Sequence, residues 1–179
     1  EQGYVFSITE KTFPTVIGDG HSNIESLLMK NPRTHYLAAY LLDLHAEKLE
    51  FVLKDGEKFK AVEIGSHCRG SVFLDANDLI TPDLEAAMNR ISGSIPGFFF
   101  GRYDIRVPDK LSLKAGQGIK VLEVNGVTSE STNMYDPSYS IFNAYKIMFA
   151  QWSMAFKIGK ANIKGGAQRI TFFGFLKYL

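Results

Sequence analysis

Two short stretches, FFFGRYDIRV and KVLEVNGVTSES, carry polar side chains within patterns that are otherwise typical of apolar strands. Alternate residues of a strand point to the same face, so Arg102, Asp104 and Arg106 share one face of the first stretch. Glu123 and Asn125 share a face of the second stretch for the same reason. Because charged side chains are costly to bury, these residues indicate either a functional site or a solvent-facing strand surface.

The connection between the two stretches, PDKLSLKAGQ, is short enough for antiparallel pairing. We therefore expect Asp104 and Glu123 to lie on neighbouring strands, so that two carboxylates and the Asn125 amide converge. Oxygen donors of this kind suit Mg²⁺, which keeps water and phosphate oxygens in its other positions, whereas zinc favours His or Cys. Alternating polar residues are also common on the open side of a two-stranded ribbon, and the spacing alone leaves both interpretations open.

Composition and charge narrow the class of protein. The chain has 179 residues, of which 45% are hydrophobic and 22% charged, as expected for one globular domain or a large piece of one. The formal net charge of +1 gives no field that would favour nucleic acid as a partner.

Cysteine content and hydropathy suggest a cytoplasmic location. Cys68 is the single cysteine, so the chain cannot form an internal disulfide, which suits a reducing compartment. No run of 18 apolar residues predicts a membrane span, and the segment from Glu1 lacks the features of a signal peptide. We expect the sequence to be a piece of a longer protein.

Strand and helix signals alternate along the chain. Ser22 with Glu25 three residues later predicts a helix N-cap after an extended segment, and a second helix is predicted over residues 34–49. Residues 49–65 are typical of two strands joined by a turn at Asp55-Gly56. A further helix is predicted to begin after Thr81 and to end at Gly93.

The longest predicted helix follows the sequence DPSYS. Five apolar residues recur at helical spacing and are expected to pack in the core; they are Ile141, Tyr145, Met148, Trp152 and Phe156.

The pair FGRYDIRV and VLEVNG resembles the C-terminal part of ATP-grasp enzymes, particularly the D-alanine:D-alanine ligase branch, in which a Gly-Arg-x-Asp strand precedes a Glu-x-Asn strand. The resemblance implies that Asp104, Glu123 and Asn125 hold the Mg²⁺ or Mn²⁺ ions that bridge ATP phosphates. It also implies that Arg102 steadies the phosphate and the anionic transition state.

A second stretch, VIGDGHSNIESLL, is similar to the strand-turn-helix of ATP-grasp peptide ligases such as cyanophycin synthetase. The free backbone amides at the start of its helix are expected to form an anion site. Arg69, next to Gly70, has a guanidinium fork that suits a substrate anion, as does Arg106. Ser129 lies in a hydroxyl-rich loop that could bind the acceptor.

The resemblance implies an α/β (α+β) fold in which a mostly antiparallel, ATP-grasp-like sheet is flanked by helices. Residues 1–179 would form a single, incomplete C-terminal domain. The implied activity is ATP- and Mg²⁺-dependent ligation of a small carboxylate to an amine through an acyl phosphate. Implied partners are ATP and these substrates, with a homodimer possible.

The sequence departs from the family in one loop and leaves two alternatives open. After the Glu-x-Asn strand, D-alanine ligases continue with a Pro-Gly loop, whereas this chain has GVTSESTNMYDP. The family's nucleotide-gripping strands would precede Glu1. The alternatives are a non-catalytic module that binds phosphate or nucleotide, and a structural domain whose polar strand residues are solvated.

Overall fold

The computed structural model of the protein describes residues 3–62 and 71–169, together with residues 171 and 174. The chain divides into two compact units, one drawn from Glu1–Ile8 and Ala76–Leu179 and the other from Thr9–Asp75. The expectation of a single domain over residues 1–179 stays a prediction.

The unit Thr9–Asp75 contains short strands and helices around one apolar core. Its elements, in chain order, are β1 (Thr9–Thr12), β2 (Thr15–Ile17), α1 (Ile24–Lys30), α2 (Pro32–His35), α3 (Ala38–Leu44), β3 (Lys58–Lys60) and β4 (Val72–Asp75). Strand β1 pairs antiparallel with β4, and β2 pairs antiparallel with β3. The core residues are Val16, Ile24, Leu27, Leu28, Leu41, Leu53, Ala61 and Val62. The predicted helix over residues 34–49 forms as shorter pieces, α2, α3 and a 3-10 turn at Ala46–Lys48.

The predicted cap of α1 is wrong by one residue. Asn23 is the N-cap, and its side chain accepts a hydrogen bond from the Ser26 amide at 3.0 Å. Ser22 instead donates its hydroxyl to Asp19 at 2.7 Å. Serine and asparagine are both favoured at the N-cap position. Here the Ser22 hydroxyl is hydrogen-bonded to the Asp19 carboxylate, and the Asn23 side chain caps the helix.

The turn at Asp55-Gly56 forms, but only one of the two predicted strands does. Strand β3 follows the turn, whereas the segment before the turn contributes an isolated bridge between Val52 and Asn23. Gly56 has a φ of 75°, and the Glu57 amide donates to the Lys54 carbonyl at 3.0 Å. The strand after the turn pairs with β2, which places buried Val16 opposite Phe59. Burial of this pair against the core explains why β3 pairs with β2 and not with the segment just before the turn.

The other unit carries the two polar stretches. Its elements are α4 (Pro82–Gly93), β5 (Arg102–Arg106), α5 (Lys110–Lys114), β6 (Lys120–Asn125) and α6 (Ile141–Lys164). Helix α4 begins and ends as predicted, and its cap residue Thr81 accepts a hydrogen bond from the Leu84 amide at 3.2 Å. The core contains Ala76, Leu79, Leu84 and Leu113, with Ile8, Met88, Ile105, Val107 and Ile119 packed against it.

Helix α6 has the predicted position, but the burial predicted for its apolar stripe is wrong. Ile141, Tyr145, Trp152 and Phe156 are exposed, and only Met148 of the predicted set is half-buried. Helical periodicity identifies residues that share a face, but it does not tell whether another element covers that face.

The mixed helix-and-strand class with antiparallel pairing is confirmed. In the described part of the chain the strands form three separate antiparallel pairs. The arrangement of these strands as an ATP-grasp sheet stays a prediction.

Candidate functional site

The polar residues of β5 and β6 lie opposite one another, as the alternation predicts. Strands β5 and β6 are antiparallel, with Arg102 opposite Asn125 and Asp104 opposite Glu123. Directly opposed residues have Cβ atoms about 5 Å apart, so each pair of side chains can contact the same small ion or group. All four side chains share one face of the ribbon, because each strand contributes positions two residues apart.

The other face of β5 packs on the protein. Ile105 contacts the core that contains Leu84 and Leu113. The Tyr103 ring packs against Phe98 in a tilted arrangement, with 5.2 Å between ring centroids. Its hydroxyl shares a hydrogen bond of 2.8 Å with Ser92 at the end of α4. Packing of this face fixes the strand orientation, so Arg102 and Asp104 face away from the core.

A β-bulge interrupts the pairing next to the site. Asp104 pairs with Glu123, whereas Ile105 pairs with Val121, so Leu122 is the extra residue in β6. A bulge adds local twist and re-aims neighbouring side chains, and such irregularities are frequent beside binding sites. The alternation of polar and apolar residues in the sequence did not predict this bulge.

Arg102 is held in place by two contacts. Its Nε donates to Asp104 Oδ1 at 3.2 Å, and its Nη1 donates to the Glu130 carbonyl oxygen at 3.3 Å. The Arg102 side chain is 34% exposed and that of Asp104 is 20% exposed. A guanidinium has five N–H donors, so hydrogen-bonding capacity remains on Arg102 for an anion.

Asn125 presents an unsatisfied polar atom at the site. Its side-chain nitrogen is buried and has no hydrogen-bond partner. Buried polar atoms in proteins are nearly always paired, so this nitrogen is available to a water molecule or to a ligand atom. Half a turn of the amide exchanges its nitrogen and oxygen, so Asn125 can offer a donor to a phosphate or an acceptor to a cation.

Gly101 explains how the two strand ends approach each other. A Cβ at this position would overlap the backbone oxygen of Asn125 and the ring of Phe98. The glycine therefore allows close contact between the start of β5 and the end of β6, which brings Arg102 opposite Asn125.

The donor set fits a hard divalent cation. Among the described residues, no three His, Cys, Asp or Glu side chains cluster in a way that could hold a metal ion. The oxygen donors on β5 and β6 do not form such a cluster, because they comprise two carboxylates, Asp104 and Glu123, and the amide of Asn125. Mg²⁺ commonly takes one or two carboxylates and completes its shell with water and phosphate oxygens, so this set fits that ion.

The three predicted substrate-binding residues differ in their positions. Arg106 is exposed at the far end of β5, opposite Lys120. The Ser129 hydroxyl donates to the Gly126 carbonyl at 2.6 Å, in the loop that follows Asn125. Arg69 lies outside the described residues. The roles of all three stay predictions.

The predicted anion site at the Asp19-Gly20 turn is already filled by a side chain of the protein. Asp19 accepts hydrogen bonds from the His21 amide at 2.9 Å and the Ser22 amide at 2.6 Å. The Ser22 amide, the Ser22 hydroxyl and the His21 amide hold the pKa of the Asp19 carboxyl far below its usual value. The Asp19 carboxylate thus occupies the turn before α1. At the start of α1 itself the Ile24 amide donates to the Phe51 carbonyl at 2.9 Å, so it is not free for an anion either.

Features of the loop beyond Asn125 were missed by sequence reasoning. Burial, a hydrogen bond to Glu130 and the charge of Glu130 raise the pKa of Tyr135. Buried Gln151 of α6 accepts from the Ser131 amide at 2.7 Å and donates to the Ser129 carbonyl at 2.6 Å. These bonds anchor the loop whose Glu130 carbonyl binds Arg102. Gln151, a polar residue among the apolar residues of α6, was the feature of the sequence that could have indicated this contact.

A cleft in the same unit was also missed. It has a volume of about 380 Å³ and its lining includes Ser7, Asn77, Asn133, Asn143 and Lys146. Its residues come from distant parts of the sequence, so no local pattern identifies it.

Comparisons with known proteins assign no family. No protein-family model matches the sequence, and no curated protein matches it significantly. The ATP-grasp resemblance therefore stays a prediction that rests on the two strand motifs. Separately, no helix in the described ranges is long and apolar enough to cross a membrane.

Proposed function

We propose that the β5–β6 face binds Mg²⁺ or Mn²⁺ with ATP phosphates, as part of an ATP-grasp ligase that joins a carboxylate to an amine. The observation that supports this most directly is the cross-strand pairing of Asp104 with Glu123 and of Arg102 with Asn125 on one face. The buried side-chain nitrogen of Asn125, which has no partner in the protein, gives this face a group that is available to a ligand.

In this proposal the carboxylates of Asp104 and Glu123 and the amide oxygen of Asn125 would hold the ion. The bound ion would neutralise phosphate charge and keep both carboxylates ionised. The residues of the chain contribute positioning and electrostatic stabilisation, which account for most of the catalysis of phosphoryl transfer.

The reaction proposed has two steps. A substrate carboxylate oxygen attacks the γ-phosphorus of ATP, the bond to the β,γ-bridging oxygen breaks, and an acyl phosphate and ADP form. An amine then attacks the acyl carbon, phosphate leaves, and the amine loses a proton to give the amide. Arg102 stabilises negative charge on the transferring phosphoryl group and on the tetrahedral oxyanion.

Arg102 suits this role because its position is fixed before any ligand arrives. Its contacts with Asp104 and with the Glu130 carbonyl restrict the guanidinium to one orientation. A preorganised cation stabilises a developing charge without a reorganisation cost at the moment of reaction. Arg69, Arg106 and Ser129 are proposed to bind substrate, and the proposed location is the cytoplasm.

Calorimetry with Mg²⁺ and ATP tests the binding part of the proposal. We expect heat of binding for the complete protein and its loss in Asp104→Asn, with Asp43→Asn, a change of an exposed residue on α3, as the matched control. Binding by Asp104→Asn equal to that of the control would reject the site. Circular dichroism of both variants distinguishes loss of binding from loss of fold.

A second function is a module that binds the same ligand without turnover. The loop GVTSESTNMYDP, which replaces the Pro-Gly loop of D-alanine ligases, favours this alternative because acceptor binding would differ. Release of phosphate from ATP in the presence of candidate carboxylates and amines separates the two. Binding without release in the complete protein supports the module.

A further inference from the structure

Helix α6 exposes a continuous aromatic face. Seven of its large apolar side chains are exposed, and two of them, Phe142 and Trp152, have 80% and 61% of their surface accessible. The seven are Ile141, Phe142, Tyr145, Phe149, Trp152, Phe156 and Ile163. With 3.6 residues per turn, all seven fall within an arc of about 100° on the helix surface. We call these residues the aromatic face.

The aromatic face is separate from the surface by which α6 packs on its own unit. Buried Gln151 and half-buried Ile147 and Ile158 lie on the other side of the helix. Gln151 is also hydrogen-bonded to the loop at Ser129 and Ser131. The helix is therefore anchored by one side while its aromatic side is uncovered by any described part of the chain.

The charge of α6 has a single sign. The helix contains Lys146, Lys157, Lys160 and Lys164, and it has no Asp or Glu. All four lysines are exposed. By helical geometry they form a row along one edge of the aromatic face, within an arc of about 60°. An otherwise nearly neutral chain thus places four positive charges beside the seven exposed apolar side chains of the aromatic face.

We infer that the aromatic face of α6 docks on the surface of a membrane that contains anionic phospholipid. A helix lying in the interface buries aromatic and aliphatic side chains at the level of the acyl chains and keeps lysines at the headgroups. Tryptophan and tyrosine favour this boundary, and each lysine near an anionic leaflet adds electrostatic attraction. Helix α6 carries both kinds of side chain, because its aromatic residues can enter the acyl-chain boundary while its four lysines contact the anionic headgroups.

The charge distribution disfavours an antiparallel two-fold pairing of α6 with a second copy of the chain. In a two-fold symmetric pair of antiparallel helices, each edge of one helix meets the same edge of its partner. The lysine row would then face the lysine row of the second copy, which is repulsive. A bilayer with negative headgroups complements the same row.

Fluorescence of Trp152 tests the inference directly, because this residue is the only tryptophan of the chain and lies on the aromatic face. The probe is a phosphatidylcholine vesicle containing about one third phosphatidylglycerol, compared with pure phosphatidylcholine. We expect a blue shift and co-sedimentation with the anionic vesicles, both weakened by added salt. An unchanged spectrum with no co-sedimentation would overturn the inference.

Paired variants separate the aromatic and electrostatic contributions. Phe149→Ala with Phe156→Ala should lower vesicle partitioning by about tenfold or more, since two buried aromatic side chains are lost. Lys157→Gln with Lys160→Gln should lower partitioning by about 25-fold. Matched controls are Phe99→Ala with Leu111→Ala, and Lys58→Gln with Lys60→Gln, which alter exposed residues outside α6. Controls that lose as much binding as the α6 variants would overturn the inference.

The oligomeric state supplies the alternative outcome. Light scattering should give the monomer mass without vesicles. A doubled mass that Phe149→Ala with Phe156→Ala abolishes would assign the face to a second copy and reject the membrane. None of these measurements uses ATP, so their failure would not bear on the proposed ligase site.

Discussion

Asp104 lies directly opposite Glu123 in the β5–β6 pair, so two carboxylates share one face of an antiparallel ribbon. Like charges directly opposite each other destabilise a strand pair. Arg102 offsets part of this repulsion through its 3.2 Å contact with Asp104. The arrangement makes sense as a site whose remaining negative charge is neutralised by a ligand.

Replacing the charged Glu123 side chain by a neutral one should therefore stabilise the unliganded protein but remove the stabilisation that ligand binding gives. We expect Glu123→Gln to raise the free energy of unfolding of the unliganded protein by about 0.5 kcal/mol, because the carboxylate repulsion is removed. Added Mg²⁺ and ATP should stabilise the unaltered protein but not the variant. Urea unfolding with and without ligand measures both effects. Glu47→Gln is the control, and equal ligand stabilisation of both variants would contradict the prediction.

Arg102 should matter for turnover more than for folding. Arg102→Met in the complete protein is expected to lose about 3 kcal/mol of transition-state stabilisation, comparable to the loss of one oxyanion donor. Arg102→Lys keeps the charge but not the planar fork, so it should recover only part of the rate. Steady-state kinetics measures these losses against Arg90→Met, an exposed position on α4. Unchanged turnover in Arg102→Met would reject its catalytic role.

Asn125 should show a conflict between stability and binding. Replacement by leucine removes the buried nitrogen that lacks a partner, so Asn125→Leu should stabilise the unliganded protein by about 1 kcal/mol. The same change removes the amide donor and acceptor, and binding of Mg²⁺ with ATP should fall sharply. Thermal unfolding and calorimetry on one preparation measure both. A destabilised variant that still binds ligand would show that the asparagine has a structural role only.

The pairing of β5 with β6 could be predicted because strict alternation assigns each side chain to a face. The same alternation could not predict the bulge at Leu122, since an extra residue leaves no mark in a short apolar run. The exposure of Trp152 escaped prediction for a different reason. Periodicity defines a face, whereas its burial depends on elements distant in sequence.

The turn at Asp19 illustrates how local competition limits prediction of a site. The capping pattern predicts Ser22 as the N-cap of α1, whereas Asn23 caps the helix and the Ser22 hydroxyl donates to the Asp19 carboxylate. The motif around Gly20 predicted a turn before a helix, which is present. It could not predict that the Ile24 amide at the start of this helix would donate to the Phe51 carbonyl and so be unavailable to an anion.

The hydrogen bonds to the Asp19 carboxylate predict that the free energy of unfolding falls in acidic solution. The folded state holds the pKa of Asp19 below the ordinary value of 3.8, chiefly through the Ser22 amide and also through the Ser22 hydroxyl and the His21 amide. Its contribution to stability is therefore complete above pH 3.8 and is lost as the pH falls below that value toward the folded-state pKa.

Asp19→Asn removes the titrating group but keeps an oxygen that can accept hydrogen bonds. Unfolding free energies of the variant and the unaltered protein should differ by a constant amount above pH 3.8 and converge in more acidic solution. Denaturant titrations at a series of pH values measure the difference. Asp55→Asn, at the exposed neighbouring turn, is the control. If the curves for Asp19→Asn and the unaltered protein stayed parallel down to the acid limit, the Asp19 hydrogen bonds would not be coupled to folding.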